Sequence, residues 1–103
     1  RPAAPPPTVE DAAHIAVGAR CQVEPGARRG VVAFVGLVPE LAGEGVWVGV
    51  RLDEPLGKND GTVKGRQLFQ APANHGTFVR PKNVEIGDFP ELLDDDLDDD
   101  DEL

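Results

Sequence analysis

The apolar positions of this chain fall into short runs that read as strands. From Arg20 to Val23 the residues alternate, and Cys21 and Val23 share one face, because successive side chains on an extended backbone point to opposite sides. Gly30 to Val35 is a continuous apolar run, the pattern of a strand buried on both sides or curling around a small barrel. Trp47 to Leu52 alternates again, with Val48, Val50 and Leu52 against Trp47, Gly49 and Arg51. Thr62 to Gln70 predicts two short extended pieces with a kink near Gly65, and Thr77 to Arg80 and Asn83 to Ile86 predict the last strands. Pro25-Gly26, Leu37 to Gly45, Pro55 to Gly61 and Ala71 to Gly76 carry the turn and loop residues between them. One helical turn fits Val9 to Ala13, with Thr8 as N-cap to Asp11.

Five to seven short strands with almost no helix predict an all-β fold. Curling them into a barrel removes edges that a small sheet would leave exposed. The expected architecture is a small SH3-like open barrel with long loops. Its twelve glycines suit tight corners and close approach of backbone to a ligand. At 103 residues the chain holds one small domain. The expected division is a Pro/Ala-rich linker over 1–14, a folded domain over 15–88 and an acidic tail over 89–103. In that tail Leu92, Leu93, Leu97 and Leu103 stand among aspartates, too little apolar surface to order a chain, so it is expected to be disordered. The chain opens on Arg1 without Met, as expected of a piece of a longer protein.

Charge changes the picture more than composition does. The net charge is −9, yet residues 88–103 hold ten acids and no base, and the other 87 residues hold nine acids and ten bases. Between Lys58 and Lys82 five bases face Asp60 alone. A basic patch beside an acidic run points to an acidic peptide or a nucleic acid as partner, with self-contact open to the tail. Cys21 is the only cysteine, so it forms no internal disulfide and reads as a buried thiol on a strand. His14 and His75 are far apart and have no cysteine partner, so no metal site or other cofactor is expected. No Ser-His-Asp or Cys-His set and no phosphate-cradling loop is visible, so no enzyme is expected. No apolar run approaches the roughly 18 residues of a membrane span.

The chemistry concentrates at Gly57-Lys58-Asn59-Asp60-Gly61. Asn, Asp and Gly tolerate left-handed backbone, so this segment predicts a sharply folded loop. Such a loop presents a cation (Lys58), an amide (Asn59) and backbone N–H groups, which is chemistry for holding a carboxylate. Trp47 offers a flat apolar wall, and Phe78 and Arg80, two residues apart on a strand, share a face. For an isolated sequence, each of these also reads as core aromatic, surface turn or solvated rim. Phe34 and Phe69 are assigned mainly to the core, and Lys64 and Arg66 to the rim.

The loop does not stand alone. With Gly30 to Gly36, Trp47-Val48-Gly49-Val50, Val50 to Pro55, Gly65 to Phe69 and Gly76-Thr77-Phe78-Val79, it resembles a CAP-Gly domain, from about Val17 to Ile86. The edges Ile15 to Cys21, Asp53 to Gly57 and Gly87-Asp88-Phe89-Pro90 are similar to the C-terminal part of the tubulin-folding cofactor B family. The resemblance makes 15–88 a CAP-Gly domain. It implies a non-catalytic module that binds acidic C-terminal tails of the Glu-Glu-Tyr/Phe type, from α-tubulin or microtubule end-binding proteins. It implies a peptide groove at Trp47, Lys58, Asn59, Phe78 and Arg80, with Gly57, Asp60 and Gly61 completing the signature loop. It further implies a partner tubulin-folding cofactor, tubulin heterodimers as cargo, and a cytoplasmic, cytoskeleton-associated setting. The loop before Trp47 departs from the family pattern. It seats no aromatic residue, and Leu41 is the candidate for that place. The end Asp101-Glu102-Leu103 has the form of a self-ligand for the same groove. A small-barrel nucleic-acid-binding module is the rival reading, opposed by the acidic tail, so neither nucleic acid nor membrane is expected as partner.

Overall fold

The apolar run that begins at Gly30 forms the middle of the sheet. The structure is a computed structural model, and it describes residues 6–91. Its strands are β1 (Arg20–Val23), β2 (Arg28–Leu37), β3 (Val46–Leu52), β4 (Thr62–Val63), β5 (Arg66–Gln67), β6 (Gly76–Val79) and β7 (Val84–Ile86). Five of them form one antiparallel sheet in the order β6-β3-β2-β1-β7, and β4 and β5 form a separate hairpin. The kink expected near Gly65 is the turn of this hairpin. Lys64 (φ 48°) and Gly65 (φ 85°) both take left-handed backbone there, as a tight two-residue turn requires.

The two edge strands of the large sheet are neighbours in sequence. Only Arg80 to Asn83, including a 3-10 turn at Pro81–Asn83, separates β6 from β7. Five peptide steps span at most about 18 Å, so the sheet must curl until its edges approach. No ladder joins β6 to β7 among the described residues. The barrel is therefore open, and a turn closes it where hydrogen bonds do not.

β2 reads as continuously apolar because it changes face part-way. Val32 pairs with Val50, but Phe34 pairs with Gly49, so a bulge at Ala33 shifts the register by one residue. Before the bulge Val32 points to the core; after it Val35 does, and Phe34 turns to the other face. β3 supplies Val46, Val48, Val50 and Leu52 to the same core, joined by Cys21, Val23, Val79 and Val84. The largest fully buried side chains are valines, which suits a barrel this narrow. Phe34 and Phe69, expected in this core, instead gather on the opposite face of β3. Gly49 lies between Phe34 and Phe78 in the ladder, and its missing side chain leaves the space that Phe69 fills. Phe78 packs edge-on to both, with ring centroids 6.3 Å from Phe34 and 5.5 Å from Phe69.

Both ends of the domain reach further than the expected boundaries. Within the stretch read as linker, Pro7 C=O accepts the Val46 N–H (2.9 Å), a 3-10 turn forms at Glu10–Ala12, and Ala12 joins the core with Ile15. The Thr8 N–H donates to the Asp11 carboxylate at 2.8 Å, one half of a capping box. At the other end Arg20 donates to Phe89 C=O (2.8 Å) and forms a two-pronged ion pair with Asp53 (2.9 and 2.7 Å). Arg29 covers the Phe89 ring at 5.3 Å and donates to Pro90 C=O. Hence Phe89 and Pro90, placed in the tail by sequence, are tied to β1 and β2. The remainder of the expected tail lies outside the described residues.

Cys21 has no solvent exposure, and burial pushes its thiol up to about 11 from an ordinary value of 9.0. Folding thus favours the protonated thiol. The stability linked to it is complete below about pH 9 and is lost as pH climbs through about 11. Alkylating reagents should leave Cys21 unmodified in the folded protein at pH 7 and react fully in urea. Rapid labelling without denaturant would contradict this burial.

Candidate functional site

The loop from Gly57 to Gly61 is folded by its own main chain. Lys58 N–H and Asn59 N–H both donate to Gly76 C=O (2.8 and 3.1 Å), and Gly76 N–H returns a bond to Asn59 C=O (2.7 Å). Gly57 N–H donates to Asn74 C=O at 2.7 Å. Gly61 N–H donates to the Asn59 side-chain oxygen (2.9 Å), and Thr62 N–H to the Asp60 carboxylate (3.1 Å). These bonds correct one expectation. The loop's N–H groups are engaged internally, and only Asp60 N–H lacks a partner among the described residues. Asp60 thereby serves as a turn former. The bond from Gly61 settles the Asn59 amide, since its oxygen is held and its NH₂ is left to donate outward.

Close approach explains the glycines. A Cβ at Gly57 would collide with Gly76 C=O, one at Gly76 with the Asn59 side chain and Gly61 N, and one at Gly61 with Phe69 C=O. Gly61 also has φ 95°, the left-handed region.

Beside this loop lies a groove of about 330 Å³. Lys58, Asn59, Trp47, Leu41 and Phe78, with the strand neighbours of Phe78, line it. The structure thus brings five sequence-named residues together. Lys58 is exposed and forms no ion pair among the described residues. Trp47 is half-buried and outside the core cluster, and its indole N–H is buried without a partner among the described residues.

Arg80 does not join them. β6 ends at Val79, and the Arg80 guanidinium folds back over the Trp47 ring, 3.8 Å from its centroid, where it donates to Val46 C=O at 3.1 Å. It lines a second cavity of about 810 Å³, whose walls mix Arg80 and Lys82 with Asp11 and Glu44. Trp47 lines the groove, and Arg80 covers its ring.

Arg28 is the groove residue that sequence reasoning missed. It lines the groove at the start of β2, held by bonds to Pro25 C=O (2.7 Å) and Leu56 C=O (3.2 Å). Its only sequence signal is a pair of arginines after a turn. Among the described residues, the groove therefore carries two cations, Arg28 and Lys58, and no carboxylate.

Leu41 is placed by its loop. Val38 is buried at the loop base, and Leu41 N–H donates to Val38 C=O at 3.0 Å. A two-pronged ion pair joins Glu40 to Arg66 on β5, so Arg66 is a loop clamp where a free rim charge was expected. The bond from Arg66 holds the Glu40 carboxyl below its usual range. His75, read as a solvated turn residue, instead places its ring Nδ1 2.8 Å from Leu52 C=O.

The CAP-Gly domain sequence model matches residues 17–84. The chain belongs to the CAP-Gly family. It is 56% identical over 79 residues to tubulin-folding cofactor B of Arabidopsis thaliana, covering 77% of this chain and 32% of that protein. The chain spans about a third of the length of the curated relatives it matches. Among solved structures, the CAP-Gly domain of human kinesin-like protein KIF13B aligns with a TM-score of 0.59 at 43% identity, over 69% of this chain and 68% of that one. The Bik1 CAP-Gly domain with an ETF peptide from Bim1 aligns with a TM-score of 0.57 at 33% identity, over 64% and 77%. The candidate CAP-Gly self-ligand, Asp101, Glu102 and Leu103, lies outside the described residues.

Two predictions follow from this CAP-Gly geometry. Gly76→Ala should destabilise the domain by roughly 3 kcal/mol, because its Cβ would strike the Asn59 side-chain oxygen, which Gly61 N–H holds in place, and the main chain of Gly61 and Asn59 behind it. An unchanged urea midpoint would contradict the close packing. Trp47 is the sole tryptophan, so its emission reports the stacking of Arg80. Arg80→Ala should expose the ring and move that emission to longer wavelength in the free protein. An identical spectrum would mean that the guanidinium does not cover the ring.

Proposed function

We propose that this CAP-Gly module is a non-catalytic receptor for acidic protein C-termini, of the Glu-Glu-Tyr/Phe type carried by α-tubulin or an end-binding protein. The observation that carries the reading is the sign of the groove. Among the described residues it offers Lys58, Arg28 and the outward NH₂ of Asn59, and no carboxylate. A tail with penultimate acids and a terminal carboxylate complements this set, and Trp47, Phe78 and Leu41 give its last side chain apolar surface. Likeness to tubulin-folding cofactor B and to the Bik1 CAP-Gly domain with an ETF peptide from Bim1 supports the same choice. On this reading the domain works in the cytoplasm beside a partner tubulin-folding cofactor, handling tubulin heterodimers. Its own tail end, Asp101-Glu102-Leu103, competes for the groove as a weaker ligand, since Leu103 replaces the aromatic residue.

Calorimetry with a Glu-Glu-Tyr-ended peptide and its C-terminal amide tests the proposal. The free acid should bind and the amide should lose most of the affinity. Lys58→Ala should weaken binding roughly tenfold or more without unfolding the domain, because a charge-assisted bond is removed from an exposed loop. Equal binding of acid and amide, or unchanged affinity of the variant at low salt, would move the site elsewhere.

A further inference from the structure

The register of β3 and β6 leaves one main-chain position open beside the groove. Leu52 N–H donates to His75 C=O at 2.6 Å, so residues 52 and 75 form a hydrogen-bonded pair. Antiparallel pairs alternate, which makes Val50/Thr77 and Val48/Val79 hydrogen-bonded, and Arg51/Gly76 and Gly49/Phe78 not. Gly76 and Phe78 therefore direct their N–H and C=O away from β3, toward the free edge of β6. Gly76 uses both on the signature loop, through Asn59 and Lys58. Phe78 uses neither among the described residues. It lies about 6.8 Å further along the same edge, one strand repeat beyond Gly76. The groove borders that edge, since Thr77, Phe78 and Val79 line it. With Gly76 N–H taken by Asn59, Phe78 N–H is the main-chain donor that β6 still offers along this edge among the described residues.

We infer that a ligand tail binds here as a short added strand, one of its residues accepting from Phe78 N–H and donating to Phe78 C=O. This rests on the acidic-tail reading above and deepens it. The ligand continues the two-residue ladder that Asn59 begins with Gly76. The occupant is an acidic C-terminus because the flanking charges are Lys58 and Arg28, with no carboxylate in the groove among the described residues. Two consequences follow for selectivity. An extended ligand alternates its side chains, so every second residue faces the groove and the residues between face solvent. A proline at the paired position is rejected, because it has no N–H for Phe78 C=O.

Amide hydrogen exchange on the 103-residue chain, with and without a saturating Glu-Glu-Tyr-ended peptide, reads the bond directly. Thr77 and Val79 amides should be slow in both states, and the Phe78 amide should slow at least about tenfold only with peptide. A set of peptides, each with one amide of its last residues replaced by an ester, removes one donor at a time. One ester should bind about tenfold more weakly than its neighbours, marking the residue that donates to Phe78. If the parent peptide binds but Phe78 exchange is unchanged, or if every ester binds equally, the added strand is overturned and the acidic-tail function stands. If the free-acid peptide does not bind at all, both fall together.

Discussion

The reciprocal main-chain bridge between Asn59 and Gly76 is the constraint on which the site depends. Three bonds in this bridge fix a loop that would otherwise be a mobile turn between strands. They demand backbone contact closer than any Cβ allows, which is why Gly57, Gly61 and Gly76 meet there. They engage the Lys58 and Asn59 N–H groups and leave two side chains as the candidate ligand contacts: the Lys58 ammonium and the Asn59 amide, the latter oriented by Gly61 N–H. A loop that is rigid before it meets its partner has less entropy to lose on binding. The same bridge occupies the β6 edge at Gly76 and leaves Phe78 without a main-chain partner on that edge among the described residues.

β3 connects this loop chemistry to the fold. Its even-numbered residues form the valine core, and its odd-numbered residues Trp47 and Gly49 build the opposite face. The bulge at Ala33 lets β2 serve both faces, so Phe34 can meet Phe78 across the gap above Gly49. Phe69 then fills that gap from the segment after the signature loop, and Gly61 packs directly on its backbone. The aromatic group thus ties the groove lining at Phe78 and the signature loop into one packed unit. Trp47 is fixed separately, by the guanidinium of Arg80 stacked on its ring and anchored at Val46. Val46 is in turn bonded to Pro7, so the N-terminal segment reaches the site through a continuous chain of contacts.

Charge is divided with similar economy. Arg20 and Arg29 hold Phe89 and Pro90 against the barrel, while Arg66 clamps Glu40 and Arg80 covers Trp47. Of the described basic residues, Lys58 and Arg28 are the two that line the groove. Residues 92–103 carry eight acids and no base, so the chain holds a large opposite charge beyond the described residues. Screening at physiological salt confines its influence to about 8 Å, so those acids act on the groove only at close range.

Alternation, turn residues and charge runs were enough to determine the strands, the order of the loops and an all-β open barrel. Each of these is written in residues next to one another: Val48, Val50 and Leu52 alternate on one strand, and Lys64-Gly65 forms its turn locally. Lys58, Asn59, Trp47, Phe78 and Leu41, which line one groove, were legible as candidate residues through their motif order and the family resemblance it carries. What the sequence left open depended on partners far along the chain. The direction of Arg80 was decided by the Trp47 ring, the groove role of Arg28 by carbonyls at Pro25 and Leu56, and the face of Phe34 by a bulge. The fate of the Lys58 and Asn59 N–H groups was decided by Gly76, at the end of an intervening hairpin and turn. Side-chain periodicity is a local property of the backbone, whereas the choice of hydrogen-bond partner is made only when distant segments pack, and that choice determined which donors remain free for a ligand.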